Sequence, residues 1–242
     1  MKMKMQRNNS LVVVARIYTE FPEKFGIPRQ SGLVPSLRGE IVFEPEFRSM
    51  DAIRGLEEFS HIWLLWEFSK AKKENTSLVV TPPRLGGKEK KGVFATRAPY
   101  RPKSIGLSSV KLEEIYMDEK RGPVLVVSGA DLLNDTPIYD IKPYLPYTDA
   151  HLDAKGSFAE EHKADGIEVV FPEVLLNKLP EDLQERVLEV LRQDPRAAYN
   201  KKPDYVYGMA FSGYDVRFVI ENNVLIVKDV VPINTAKYKK VK

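Results

Sequence analysis

FSHIWLLWEF, residues 59–68, is the stretch on which the reading of the fold turns. Its residues alternate with the period of two that marks a strand buried on one face, and Trp, Ile and Leu at this density suit the wall of a barrel. Short runs rich in Val, Ile, Phe and Trp surround it, at Leu11–Tyr18, Glu40–Phe43, Leu78–Thr81, Gly92–Thr96, Ile105–Met117 and Val124–Ser128. Pro, Gly and Asn/Asp clusters separate these runs, and between them only Arg48–Glu57 carries a weak helical signal. Many short strands with so little helix between them favour an antiparallel barrel or sandwich over a βαβ fold. Ile105–Met117 is long for one strand, and its apolar phase slips near Ser108–Val110, which predicts a bulge or a corner.

The last third reads differently. Asp135–His162 is rich in Pro, Tyr and Asp, with an ordered first half and a mobile second half expected. Pro172–Gln193 is the one clear helix: Pro180 suits a first turn, Glu181 and Asp182 suit its positive end, and Leu183, Val187, Leu188 and Leu191 form a stripe. Tyr205–Phe211, Tyr214–Ile220 and Val224–Val231 read as a small sheet, with Asn222-Asn223 as a turn pair that tolerates positive φ. The expected fold class is therefore mainly β, an antiparallel β-barrel or sandwich at 1–165 followed by a small α+β domain at 166–242.

Composition bounds the chemistry. A chain of 242 residues suits one main domain with an appendage. The net charge of +3 permits nucleic-acid contact without requiring it, so what matters is where the cations lie. The absence of cysteine excludes a disulfide framework, a thiolate zinc site and a cysteine nucleophile. His61, His151 and His162 lack metal-site spacing, so no metal is expected. No apolar run reaches membrane-spanning length, and the basic start MKMKMQRNNS precedes too short an apolar run for a signal peptide. A soluble, cytoplasmic protein without membrane contact is expected. There is no G-x-G-x-x-G after a strand, no G-x-x-x-x-G-K-[ST], and no nucleophile elbow.

Five segments carry candidate chemistry. PPRLGGKEKKGVFATRAPYRPKSIGLSS, residues 82–109, packs Arg84, Lys88, Lys90, Lys91, Arg97, Arg101 and Lys103 around Pro/Gly corners, with Arg97 closing the GVFAT strand. Cations held by such corners suit an anionic or electron-rich ligand. Pro28–Gly32 is a polar turn in which the Gln30 amide can read a purine edge or a carboxylate. His61 lies on the Ser60–Phe68 strand, where a structural role is the plainer reading. Ser128–Pro137 places Asp131 and Asn134 just past a strand end, where a carboxylate can hold a ribose hydroxyl pair or an ammonium. Gln193–Tyr199 follows the helix with Asp194, Arg196 and Tyr199 in close succession.

PRQSGLV, LEEFSHIWLL, PPRLGG, GVFATRAPYRPKSIGLS, SGADLLNDTPIYDIKPYLPY and QDPRAAY, in this order, resemble the TsaA/TrmO family. The resemblance is close over residues 10–145 and extends into the C-terminal part. It implies a β-barrel S-adenosylmethionine-dependent methyltransferase acting on N(6)-threonylcarbamoyladenosine at position 37 of tRNA, and a homodimer. Carried over by position, it puts the cofactor at Gln30, Ser31, Gly32, Arg97, Leu107, Asp131, Leu132, Leu133 and Asn134. Ser69 and Lys70 join that set through backbone contacts, because they depart from the His-Gln pair associated with the bacterial pattern. Asn134 stands where relatives have Asp. Asp194, Arg196 and Tyr199 are the implied catalytic residues. The partner is the tRNA anticodon loop, whose unstacked bases Tyr100, Arg101, Arg84, Arg196 and Tyr199 could sandwich. Asp194, His61 or the substrate's own carboxylate could accept the N6 proton. The rival readings are a non-catalytic RNA-binding β-barrel protein and an interaction protein docking through Tyr139–Tyr147.

Overall fold

A computed structural model describes residues 11–71, 77–82, 89–161, 166–196 and 205–233. In chain order the elements are β1 (Ala15–Thr19), β2 (Arg38–Phe43), α1 (Met50–Ile53), β3 (His61–Glu67), β4 (Val79–Val80), β5 (Lys91–Gly92), β6 (Ile105–Asp118), β7 (Gly122–Ser128) and β8 (Thr136–Pro143). There follow α2 (Pro146–Asp149), α3 (Phe158–Glu161), β9 (Glu168–Val170), α4 (Glu173–Leu176), α5 (Glu181–Arg192), β10 (Tyr207–Phe211), β11 (Tyr214–Glu221) and β12 (Val224–Pro232).

Six strands close into a barrel in the order β1-β2-β7-β6-β3-β8, every pair antiparallel. Closure leaves no free edge. Along β3 the alternation resolves as Ile62, Leu64 and Trp66 inward, with His61 outward and exposed. Ile17, Ile41, Leu125, Val127 and Ile138 complete a fully buried interior. The irregularity of β6 falls between Leu112 and Glu114 opposite β7. It lies a few residues beyond the expected slip, because the Ser108–Val110 stretch keeps its pairing with β3.

Three expectations need correction, and one strand went unread. Gly92–Thr96 is not a strand: only Lys91–Gly92 pairs with β4, and Val93–Ala95 is a 3-10 turn. The cause is local, since both the N–H and the hydroxyl of Thr96 donate to the Val93 carbonyl, at 3.2 and 2.9 Å. Asp135–His162 supplies the closing strand β8, whose prolines sit at its second and last positions, and its second half carries α2 and α3. Pro172–Gln193 divides into α4 and α5, because Pro180 is extended at the N-cap and cannot continue a helix from the preceding turn. β9, unread in the sequence, pairs parallel to β12 and gives a four-stranded sheet in the order β10-β11-β12-β9. The Asn222-Asn223 turn has φ of 49° and 63°, as its composition requires.

The second core lies between that sheet and α5, and the connection from β1 to β2 enters it. Phe21, Val34 and Leu37 are buried beside Val187, Leu191, Met209 and Phe211. Glu20 is buried at the junction, its Oε1 accepting from Arg186 at 3.0 Å and from the Arg38 N–H at 3.1 Å. Burial pushes its carboxyl above the usual range, although Arg38 and Arg186 pull the other way. Ser36 Oγ donates to Glu189 at 2.5 Å. Residues 20–37 are thus gripped by both cores.

Candidate cofactor site at the barrel rim

β6 turns Gly106 and Ser108 inward, and the space left by Gly106 is filled by the Trp66 indole. Trp66 Nε1 donates to Ser108 Oγ at 3.0 Å, and Ser108 Oγ donates to Asp131 Oδ1 at 2.6 Å. Asp131 follows β7, next to Leu132, whose fully buried side chain belongs to the barrel core. Burial raises the Asp131 pKa; the Ser108 hydroxyl, its own backbone N–H, the Arg97 charge and the Ser31 N–H oppose that rise. A carboxylate so placed is a strong acceptor that has lost part of its hydration.

The Pro28–Gly32 turn is bolted to the same rim. Gly32 N–H donates to the Gly129 carbonyl at 2.8 Å, and Gly129 N–H to Leu37 at 3.0 Å. Both glycines have positive φ, and a Cβ on Gly129 would lie 3.3 Å from Gly32 Cα. Arg97 donates to the Gln30 amide oxygen, and the Gln30 amide nitrogen donates to the Arg29 carbonyl. Gln30, Ser31, Gly32, Arg97 and Asp131, separated by up to 101 positions in sequence, therefore meet.

The other candidates have distinct settings. Asn134 Oδ1 accepts from Thr19 N–H at 2.9 Å, while the Leu132 and Leu133 carbonyls accept from Thr19 Oγ1 and Thr136 Oγ1. Leu132 and Asn134 thus tie the turn to the end of β1, and Leu133 ties it to the start of β8. Leu107 is exposed on the outer face of β6, opposite Leu65. Ser69 follows β3, and the Lys70 carbonyl accepts from Lys24 at 2.7 Å. Asp194 has φ of 49° and grips Arg196 through both oxygens, at 2.9 and 2.8 Å. Arg101 donates to the Thr96 carbonyl at 2.9 Å, so part of the basic stretch holds its own loop. His61 lies at the opening of β3, beside Ser60 Oγ and Tyr144. Tyr199, Arg84, Lys88 and His162 lie outside the described residues.

Sequence reasoning missed Ser108, Trp66, Arg29 and the Tyr139–Glu67 pair. Tyr139 donates to Glu67 at 2.6 Å, and burial together with that carboxylate pushes its hydroxyl up to about 12. Strand parity alone could have flagged Ser108, a hydroxyl among inward-facing positions.

The groups gathered at the rim are a desolvated carboxylate, a guanidinium and a primary amide, with open space at Gly32 where a Cβ would stand. They fit a zwitterion bearing hydroxyl groups, such as an amino acid joined to a nucleoside. Among the described residues no helix is long and apolar enough to cross a membrane, and no three His, Asp or Glu side chains cluster for a metal ion.

Residues 16–150 match the tRNA-methyltransferase O N-terminal domain, and residues 166–233 match the TrmO C-terminal domain. The chain belongs to the TrmO family. The tRNA (adenine(37)-N6)-methyltransferase of Escherichia coli K12 is 39% identical over 210 residues, covering 84% of this chain and 89% of that one. RcsF of Pseudomonas aeruginosa, provisionally named an S-adenosylmethionine-dependent methyltransferase, is 41% identical over 218 residues, covering 87% and 92%. A crystal structure of TrmO from P. aeruginosa superposes with a TM-score of 0.73 at 34% identity, over 95% of this chain and all of that one.

Proposed function

We propose that this TrmO-family chain is an S-adenosylmethionine-dependent tRNA methyltransferase, acting on the exocyclic nitrogen of adenosine 37 in its N(6)-threonylcarbamoyl form. The meeting of Asp131, Arg97 and the Gln30 turn at the rim carries the reading, and the relatives' names supply the reaction class. Residues 1–165 form the cofactor-binding barrel unit and 166–242 the smaller α+β unit. The protein works as a homodimer in the cytoplasm, meeting the anticodon loop with the basic rim.

The cofactor supplies an electrophilic methyl group on a sulfonium. Arg97 pairs with its carboxylate, Asp131 takes the ribose hydroxyls or the ammonium, and Leu107 lies against the adenine. Ser31 N–H and the bare backbone at Gly32 complete the cradle, and Leu133, Asn134, Ser69 and Lys70 border it. Holding the donor in line with the nucleophile is worth on the order of 7–11 kcal/mol. The exocyclic nitrogen must also lose a proton. Asp194 is committed to Arg196 through both oxygens, which favours the threonyl carboxylate of the substrate as acceptor.

Mass spectrometry of tRNA nucleosides from cells lacking the protein should show threonylcarbamoyladenosine without its methyl group. Unchanged methylation would overturn the proposal. Calorimetry supplies the second check: Arg97→Ala should weaken S-adenosylmethionine binding on the order of tenfold or more, the scale of a lost charge-assisted pair. A wild-type protein that binds the anticodon stem-loop but no cofactor would instead be an RNA-binding barrel.

A further inference from the structure

Arg29 reaches across to the C-terminal unit. Its guanidinium donates to the Arg196 carbonyl at 3.0 Å, although 167 positions separate the two residues. Its own carbonyl accepts from the Gln30 amide, the Gln30 oxygen accepts from Arg97, and the Arg97 charge acts on Asp131. One polar chain thus runs from the end of α5 to the buried carboxylate of the rim. Its far end is fixed: Asp194 adopts positive φ, its Oδ1 accepts from the Arg196 N–H at 3.2 Å, and both oxygens hold the guanidinium. The Arg196 side chain is only 11% exposed. The fork turns the Arg196 carbonyl outward to the one exposed guanidinium in the Gln30 turn.

We infer that Arg29 is a positioning residue for the cofactor site, and that the Asp194–Arg196 pair acts there as the anchor of a latch setting the Gln30 turn. The inference rests on the cofactor reading above. Residues 20–37 already share the C-terminal core through Phe21, Val34 and Leu37, so the latch adds orientation, not attachment. A free Gln30 side chain has several rotamers. Pinning its amide at both ends leaves its oxygen aimed at Arg97, and ordering before binding spares the ligand that entropic cost. The C-terminal unit would then tune cofactor affinity with no RNA present.

Calorimetric titration of S-adenosylmethionine into the full-length protein, without tRNA, tests this. Arg29→Ala should lower affinity about fivefold to tenfold, the scale of one ordinary hydrogen bond, with Tm unchanged because Arg29 is exposed. Arg29→Lys should recover part of the loss. Asp194→Asn, which loosens the anchor, should lower affinity similarly, and the double variant should bind no worse than the weaker single one. Unchanged affinity in Arg29→Ala would overturn the latch, as would single effects that multiply. So would a loss confined to the KM for tRNA. If wild-type protein fails to bind the cofactor, the cofactor reading fails instead; wild-type binding matched by Arg29→Ala removes the latch alone.

Discussion

Replacing Asp131 with asparagine should lower S-adenosylmethionine affinity roughly 10- to 100-fold at neutral pH while leaving the fold intact. The two effects separate because the carboxylate is buried. Its pKa is raised above the ordinary 3.8, so folding favours the neutral form. Cofactor-free stability should therefore fall as pH rises from about the unfolded value through the folded one, and a neutral amide of the same shape avoids that cost. Binding has the opposite sign. A ribose hydroxyl or an ammonium needs an acceptor, so affinity should be full above the raised pKa and drop as pH falls through it. In Asp131→Asn the low-pH decline should vanish, because nothing is left there to titrate. A hydrogen bond to a charged group is worth about 1.5–3 kcal/mol, which sets the expected loss. Calorimetry across that pH window checks both points. Full affinity in the variant, or a decline that survives the substitution, would remove Asp131 from the cofactor site.

The barrel was legible where side chains alternate and opaque where backbone bonding overrides composition. β3 could be read because Ile62, Leu64 and Trp66 share one face. β8 could not, because Pro137 and Pro143 resemble loop punctuation although the strand between them pairs on both sides. Thr96 is a strand former by composition, yet its hydroxyl caps the Val93 carbonyl and coils the chain. At the site, Gln30, Arg97 and Asp131 stood out as polar groups at Pro/Gly corners or strand ends, where ligands are usually met. Asn134 stood out for the same reason, and its amide oxygen is engaged by Thr19. Ser108 could be flagged only by the parity of β6, since a lone hydroxyl is common in strands. Arg29 gave no signal, because it acts through a partner that only the tertiary fold brings near.

The second large effect concerns Gly106, and here opposing terms can be compared. Glycine to alanine in a strand ordinarily stabilises by about 0.4–1 kcal/mol, because the unfolded chain loses freedom. At Gly106 a Cβ would fall 2.3 Å from Trp66 Cε2 and 2.4 Å from Cζ2, inside any tolerable contact. The indole cannot step aside cheaply. It packs edge-on against Phe68 at 4.3 Å and donates to Ser108 Oγ, so moving it breaks the hydroxyl's link to Asp131. Overpacking of this kind costs typically 1–3 kcal/mol, and the displaced hydrogen bond about 1 more. The clash wins, and net of the unfolded-state gain Gly106→Ala should lose about 1–3.5 kcal/mol. For a chain of this size that lowers Tm by roughly 2–14 °C. Trp66→Leu removes the ring the new methyl would strike, so the pair Gly106→Ala and Trp66→Leu should be more stable than the two single losses added together. Thermal melts of the four proteins decide it. A Gly106→Ala protein melting with the wild type, or strictly additive losses, would show that the indole does not depend on the missing side chain.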